Sequence, residues 1–158
     1  MSDTTEKIKD FLCKMLVPYQ LLQHKPTYTS EDAAQERGED LSIGGKAILM
    51  KLDDDFSLFV LSASLQIDSK KVRKLTGAKS IRFATDEELY KATGLKSGAV
   101  PPFGRPVQPL DIYIDDSIMK NAEIAFNAGS LTTSMKIQTI HYMRVVDGPV
   151  VSFSKAQN

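Results

Sequence analysis

Apolar residues at Ile8, Phe11, Leu12, Met15 and Leu16 recur at the spacing of one helix face, which predicts an amphipathic helix over 3–16 that Pro18 ends. Residues 19–24 read as a short strand stopped by Pro26. Thr29-Ser30-Glu31-Asp32 has the form of an N-cap with acids in the first turn, opening a helix that Gly38 closes. Two apolar runs, 46–51 and 56–62, flank Asp53-Asp54-Asp55 and predict a β-hairpin with a charged turn. Asp68 or Ser69 caps a basic helix ending at Gly77, and residues 80–84 form a short strand. Thr85-x-x-Glu88 is a capping box for a helix finishing at Thr93-Gly94. Strands near 111–115, 122–126 and 131–137 follow, with a turn at 127–130. Residues 139–146 read as a helix or turn, and 149–153 as an edge strand. Between Gly94 and Pro109 lie three of the nine glycines and four of the seven prolines, which argues against a helix or central strand there.

Strands and helices interleave without a strict βαβ period. The expected fold is therefore α/β (α+β): a mixed central sheet of about six to seven strands flanked by helices, in one domain over residues 1–158. A chain of 158 residues can bury a core without disulfides or a structural metal. Twenty Lys and Arg balance twenty Asp and Glu, so any polyanion must be held by a local patch. The single cysteine, Cys13, excludes an internal disulfide and a cysteine zinc cage. There is no signal-peptide pattern and no apolar run of membrane-spanning length, so a cytosolic protein with no membrane partner is expected.

Candidate chemistry is sparse. His24 and His141 are the only histidines, and no G-x-S-x-G nucleophile elbow exists. Asp53–Asp55 lacks EF-hand spacing and reads as a turn. Lys70, Lys71, Arg73, Lys74, Lys79 and Arg82 put six cations within thirteen positions, either a solvated helix face or a phosphate-tracking patch. Lys46 opens an apolar strand. Period-two alternation puts it on the face opposite Lys51, and taken alone it reads as a solvated strand-end lysine.

The string Gly94-Leu95-Lys96-Ser97-Gly98-Ala99-Val100-Pro101-Pro102-Phe103-Gly104 resembles the signature loop of the YbaK/prolyl-tRNA-synthetase-associated family, whose members hydrolyse mischarged aminoacyl-tRNA. Thr27–Ala34, Gly45–Lys51, Asp115-Asp116-Ser117 and Phe126-Asn127-Ala128-Gly129 match in the same order, so that the resemblance spans about residues 5–146. It implies a trans-editing deacylase acting on a small amino acid, with proline-specific tRNA as carrier by analogy and no cofactor or metal. Lys46, Gly98 and Gly129 take catalytic positions: the lysine supplies a fixed positive charge, and the glycines let main-chain N–H groups approach an oxyanion. His24, Thr29, Ala99, Val100, Pro101 and Ala128 become substrate-lining candidates. Lys70, Lys71, Arg73, Lys74 and Lys96 become tRNA contacts. The implied partners are a mischarged aminoacyl-tRNA and a synthetase, not DNA. A non-catalytic module binding tRNA or a synthetase, or a hydrolase of small free esters, are the alternative readings.

Overall fold

The computed structural model describes residues 2–157. Its first helix, α1 (Asp3–Lys14), is capped by Ser2 Oγ, which accepts the Thr5 N–H at 3.1 Å, and buries Ile8 and Leu12. Strand β1 (Gln20–Gln23) and helix α2 (Ser30–Arg37) come next. The predicted hairpin is β2 (Gly45–Leu52) and β3 (Asp55–Ser62), antiparallel from Gly45 opposite Ser62 to Leu52 opposite Asp55. Asp53 adopts φ +54° in its turn, and its carboxylate accepts the N–H groups of Lys79 and Ser80 at 3.0 and 2.9 Å. The triple-Asp segment thus ties a corner together. Then follow β4 (Leu65–Ile67), α3 (Ser69–Thr76), β5 (Ile81–Phe83), α4 (Asp86–Thr93), β6 (Asp111–Asp115), β7 (Glu123–Asn127), β8 (Thr133–Gln138), α5 (Thr139–Val145), β9 (Val150–Val151) and β10 (Ser154–Ala156). The capping box at Thr85 and Glu88 forms as its spacing requires.

The mixed central sheet runs β5-β2-β3-β6-β9, with β3, β6 and β9 mutually parallel. The expected mixed α/β architecture is present, but the strand count needs correction. The central sheet has five strands, while β1-β8-β7 and β10-β4 form two further sheets. Alternation marks a strand but does not name its partner. Here β7 and β8 turn their apolar faces (Ile124, Phe126, Met135, Ile137) onto the core and pair with each other, with β1 added on β8, instead of joining the main sheet. The short β4 escaped the reading because only five residues separate the end of β3 at Ser62 from the α3 cap at Asp68, and three of them form the strand.

Alternation along β3 feeds two cores. Leu58 and Val60 face α1, Phe103 and Tyr142, whereas Phe59 and Leu61 face Val72 of α3 and Phe153. Leu75, the other large apolar residue of α3, is 38% exposed.

Asp115, fully buried at the end of β6, accepts the N–H groups of Phe153 at 2.8 Å, Ser154 at 3.1 Å and Ser117 at 3.1 Å, and the Ser154 hydroxyl at 2.8 Å. Burial pushes its pKa up, but these hydrogen bonds outweigh burial and leave it below the ordinary aspartate value. A depressed folded-state pKa stabilises the fold above the unfolded-state pKa, and that stability is lost as pH falls through the folded value. Asp115→Asn is expected to cost about 2–3 kcal/mol at neutral pH. The variant should also show a shallower loss of stability below pH 4 than the wild type, as read by urea unfolding across a pH series.

Candidate active site

A cleft of about 200 Å³ opens where the N-terminal end of β2 meets β7, near the bridge between Gly44 and Ala125. One wall is α2. Thr29 caps it, its hydroxyl accepting the Asp32 N–H at 3.0 Å, and Gly38 closes it at φ +71°. Helix periodicity puts Ser30, Ala33 and Arg37 on one stripe, and all three line the cleft. The facing wall is Gly44 to Ile48 with Ala63, and the third side is Ser97, Gly98 and Val100. Gly45 lets these strands close up, since a methyl group there would lie 2.5 Å from Ile124.

Lys46 is half-buried in the cleft, with Nζ 3.5 Å from the Ala63 carbonyl. Desolvation lowers its pKa below the ordinary lysine value, and the charge of Glu31 partly opposes that shift. The strand therefore presents an incompletely satisfied ammonium to the cleft.

The glycine loop is braced from behind. Gln108 Nε2 donates to the Phe103 and Pro101 carbonyls at 2.7 and 3.2 Å, and Tyr142 Oη donates to the Pro102 carbonyl at 2.7 Å. The Phe103 ring packs edge-on against Phe11, Phe126 and Tyr142 with centroids 5.4–6.0 Å apart. Gly98, at φ +90°, is exposed, and its carbonyl accepts Asn127 Nδ2 at 2.7 Å. Among the described residues, the N–H groups of Gly98 and Val100 have no protein acceptor.

The structure brings together only part of the expected set: Lys46, Gly98, Val100 and Thr29 line the cleft. Ala99 and Pro101 are buried behind it. The Ala99 N–H is spent on the Lys96 carbonyl at 3.0 Å, and proline has no N–H to offer. Gly129 and Ala128 lie outside it, against α1: the Ser2 hydroxyl donates to the Gly129 carbonyl at 2.9 Å and the Thr5 hydroxyl to that of Ala128 at 2.6 Å. A methyl group on Gly129 would stand 2.6 Å from Thr4 Cβ, so close packing accounts for this glycine. His24 is set back from the cleft, with Nδ1 2.7 Å from the Lys25 carbonyl and Nε2 2.8 Å from Ser134 Oγ. His141 sits on α5 and Cys13 is exposed on α1. Among the described residues, no group of three His, Cys, Asp or Glu side chains could hold a metal ion.

Two cleft residues escaped the sequence reading. Arg37 looks like an ordinary cation in the last turn of a helix, and Asn127 like a turn residue. In the structure Asn127 ends β7 and links the glycine loop to Arg37, whose Nη2 donates to Asn127 Oδ1 at 3.1 Å. The cleft also continues into a groove of about 250 Å³ along Ala47 to Leu49, bounded by Phe83, Asp86 and Leu89. That side of β2 is open because β5 pairs only with Met50 to Leu52.

A half-buried ammonium and main-chain N–H groups without acceptors share one small cleft, a donor set of the kind that can meet a carbonyl oxygen. Comparison with known proteins gives that class a name. Residues 24–145 match the aminoacyl-tRNA editing domain, and the chain belongs to that family. It is 27% identical over 159 residues to the multifunctional Ser/Thr-tRNA deacylase ProXp-y of Escherichia coli (strain K12), covering 98% of this chain and 95% of that protein. The proline–tRNA ligase of Shouchella clausii is 34% identical over 100 residues, 63% of this chain but 17% of the ligase. A solved structure described as a candidate trans-editing enzyme for prolyl-tRNA synthetase superposes with a TM-score of 0.84 at 22% identity, covering 99% of both chains.

Proposed function

We propose that this member of the aminoacyl-tRNA editing family is a deacylase that removes a small, hydroxyl-bearing amino acid from mischarged tRNA. The observation that carries the reading is that Lys46 lines one 200 Å³ cleft together with Gly98 and Val100, whose N–H groups have no protein acceptor among the described residues. Water, or the neighbouring ribose hydroxyl, attacks the ester carbonyl. The bond to the ribose oxygen breaks, that oxygen takes a proton, and free amino acid and tRNA leave. When the ribose hydroxyl attacks first, water completes the cycle by hydrolysing the transferred ester. Negative charge on the carbonyl oxygen is met by the loop N–H groups, with Lys46 as a fixed positive charge beside the esterified ribose. The ester is activated, so no protease-type triad is required. The full-length similarity to a Ser/Thr-tRNA deacylase supports a serine- or threonine-sized substrate. Incubating the protein with tRNAs labelled in turn with Ser, Thr, Ala, Cys and Pro, and with free aminoacyl esters as controls, tests the reading. Turnover of seryl- and threonyl-tRNA, with alanyl-tRNA slower and prolyl-tRNA spared, is expected; binding without turnover, or hydrolysis of the free esters alone, would overturn it.

The tRNA approach is proposed along α3. Lys70, Lys71, Arg73 and Lys74 are exposed on it, and Lys96 is exposed beside the glycine loop. Lys71 Nζ also donates to the Ser154 carbonyl at 2.8 Å, which anchors it. The double reversal Lys70→Glu, Lys74→Glu is expected to raise KM for aminoacyl-tRNA and flatten its salt dependence, with kcat unchanged. Hydrolysis of an aminoacyl-adenosine fragment, which lacks the acceptor stem, is expected to stay at the wild-type rate. An unchanged KM would leave these cations as a solvated helix face.

A further inference from the structure

We infer that Arg37 is the residue that reads the substrate's side chain, donating from Nη1 to the hydroxyl oxygen of the esterified amino acid. This rests on the deacylase reading above and names what that site selects. The Arg37 side chain is only 7% exposed, an unusual placement for an arginine in the last turn of a surface helix. Two of its nitrogens are spoken for: Nε donates to Ser134 Oγ at 3.0 Å and Nη2 to Asn127 Oδ1 at 3.1 Å. Asn127 Oδ1 also accepts from Ser134 Oγ at 3.1 Å, so the guanidinium is clamped in one orientation. Glu39 lies behind it, 3.9 Å from Nε, and is itself paired with Lys136 Nζ at 3.1 Å.

Among the described residues, Nη1 has no hydrogen-bond partner. It lies beside Gly44, where a methyl group would stand 3.6 Å from it, and both Gly44 and Arg37 line the cleft. The same built position would be 3.1 Å from Ala63 Cβ, and Lys46 Nζ rests 3.5 Å from the Ala63 carbonyl. Lys46 and Nη1 therefore border one small wall, formed by Gly44 and Ala63. A substrate whose ester is held at Lys46 and Gly98 extends its side chain towards α2, where Ser30, Ala33 and Arg37 line the cleft.

The chemistry favours an acceptor at that point. A buried guanidinium edge left facing a methyl or a pyrrolidine ring loses the water that would otherwise satisfy it, whereas a hydroxyl oxygen replaces that water. A site built to bond a hydroxyl rejects the analogue lacking it far more strongly than an apolar pocket rejects an added hydroxyl. Alanine and proline, both without a side-chain acceptor, are disfavoured by the same edge.

The test compares seryl-tRNA with 2-aminobutyryl-tRNA, in which a methyl group replaces the hydroxyl at nearly equal volume. Wild-type kcat/KM is expected to favour seryl-tRNA at least tenfold. In Arg37→Met, which keeps an apolar stem and loses the donors, seryl turnover should fall about 10–100-fold and 2-aminobutyryl turnover by less than threefold, so that the preference disappears. Arg37→Lys, with a charge but no fork, should retain part of the preference, and thermal unfolding establishes that both variants are folded. Equal wild-type rates on the two substrates, or a parallel loss of both in the variants, would overturn the assignment and leave Arg37 a structural brace. Absence of turnover on every aminoacyl-tRNA is a separate result that would overturn the deacylase reading itself, and this inference with it.

Discussion

Lys46→Ala is expected to slow deacylation about 100-fold, the usual cost of removing one preorganised electrostatic contact at the reacting ester, while the protein stays folded. The stability arm of this experiment separates function from architecture. Burial holds the Lys46 pKa below its unfolded value, so the folded state disfavours the charged form. A lysine shifted this way detracts from stability below its folded pKa, and the penalty disappears as pH rises through that value towards the unfolded one. Lys46→Met, which fills the same space without charge, should therefore be as stable as the wild type or more so at pH 7, and equally inactive. Lys46→Arg is expected to recover little, because a planar fork does not reproduce a point ammonium against Gly44 and Ala63. Full activity in a folded alanine variant would remove Lys46 from the mechanism.

Gly98→Val carries the second large effect: turnover should drop by two orders of magnitude or more. The residue sits at φ +90°, with only Leu131 Cδ2 near the position of an added Cβ, at 3.5 Å. Space is therefore available, and the difficulty is the backbone angle, which costs an L-residue about 1–2 kcal/mol. A loop relaxing to a permitted angle would turn the Gly98 N–H and swing its carbonyl off Asn127 Nδ2. Stability should fall only by that strain, a Tm decrease of about 2–8 °C in a domain of this size. Unfolding with a fully active folded fraction would make the loop structural.

The elements of this fold were legible because their signals are local. Thr29, Asp68 and Thr85 cap helices by side-chain hydrogen bonds that the spacing alone anticipates, and Gly38, Gly77 and Gly94 close those same helices in left-handed conformation. The cleft was legible only in part, because it exists only after folding. Lys46 and Gly98 stood out through a motif, but nothing local separates Arg37 from Lys91, another cation in a last helical turn that remains exposed on α4. Gly129 misled for a related reason. Its left-handed φ of +79° and its place in the motif suit a loop approaching substrate equally well, and only the three-dimensional arrangement reveals Thr4 against it.

The two walls of the cleft have separate obligations. Lys46 and Gly98 sit on a strand and a braced loop, whereas Ser30, Ala33 and Arg37 sit on a short helix that buries only Ala33 and Ala34. Neither hydrophobic core includes a residue of that helix, so changes at 30 and 33 can redraw the pocket while leaving the proposed reacting groups on the strand and loop in place. Mutation can thus explore which amino acid is cleared without first surrendering the ability to clear one. A lineage carrying this architecture can follow shifts in its host's misacylation errors through substitutions on a single helix face.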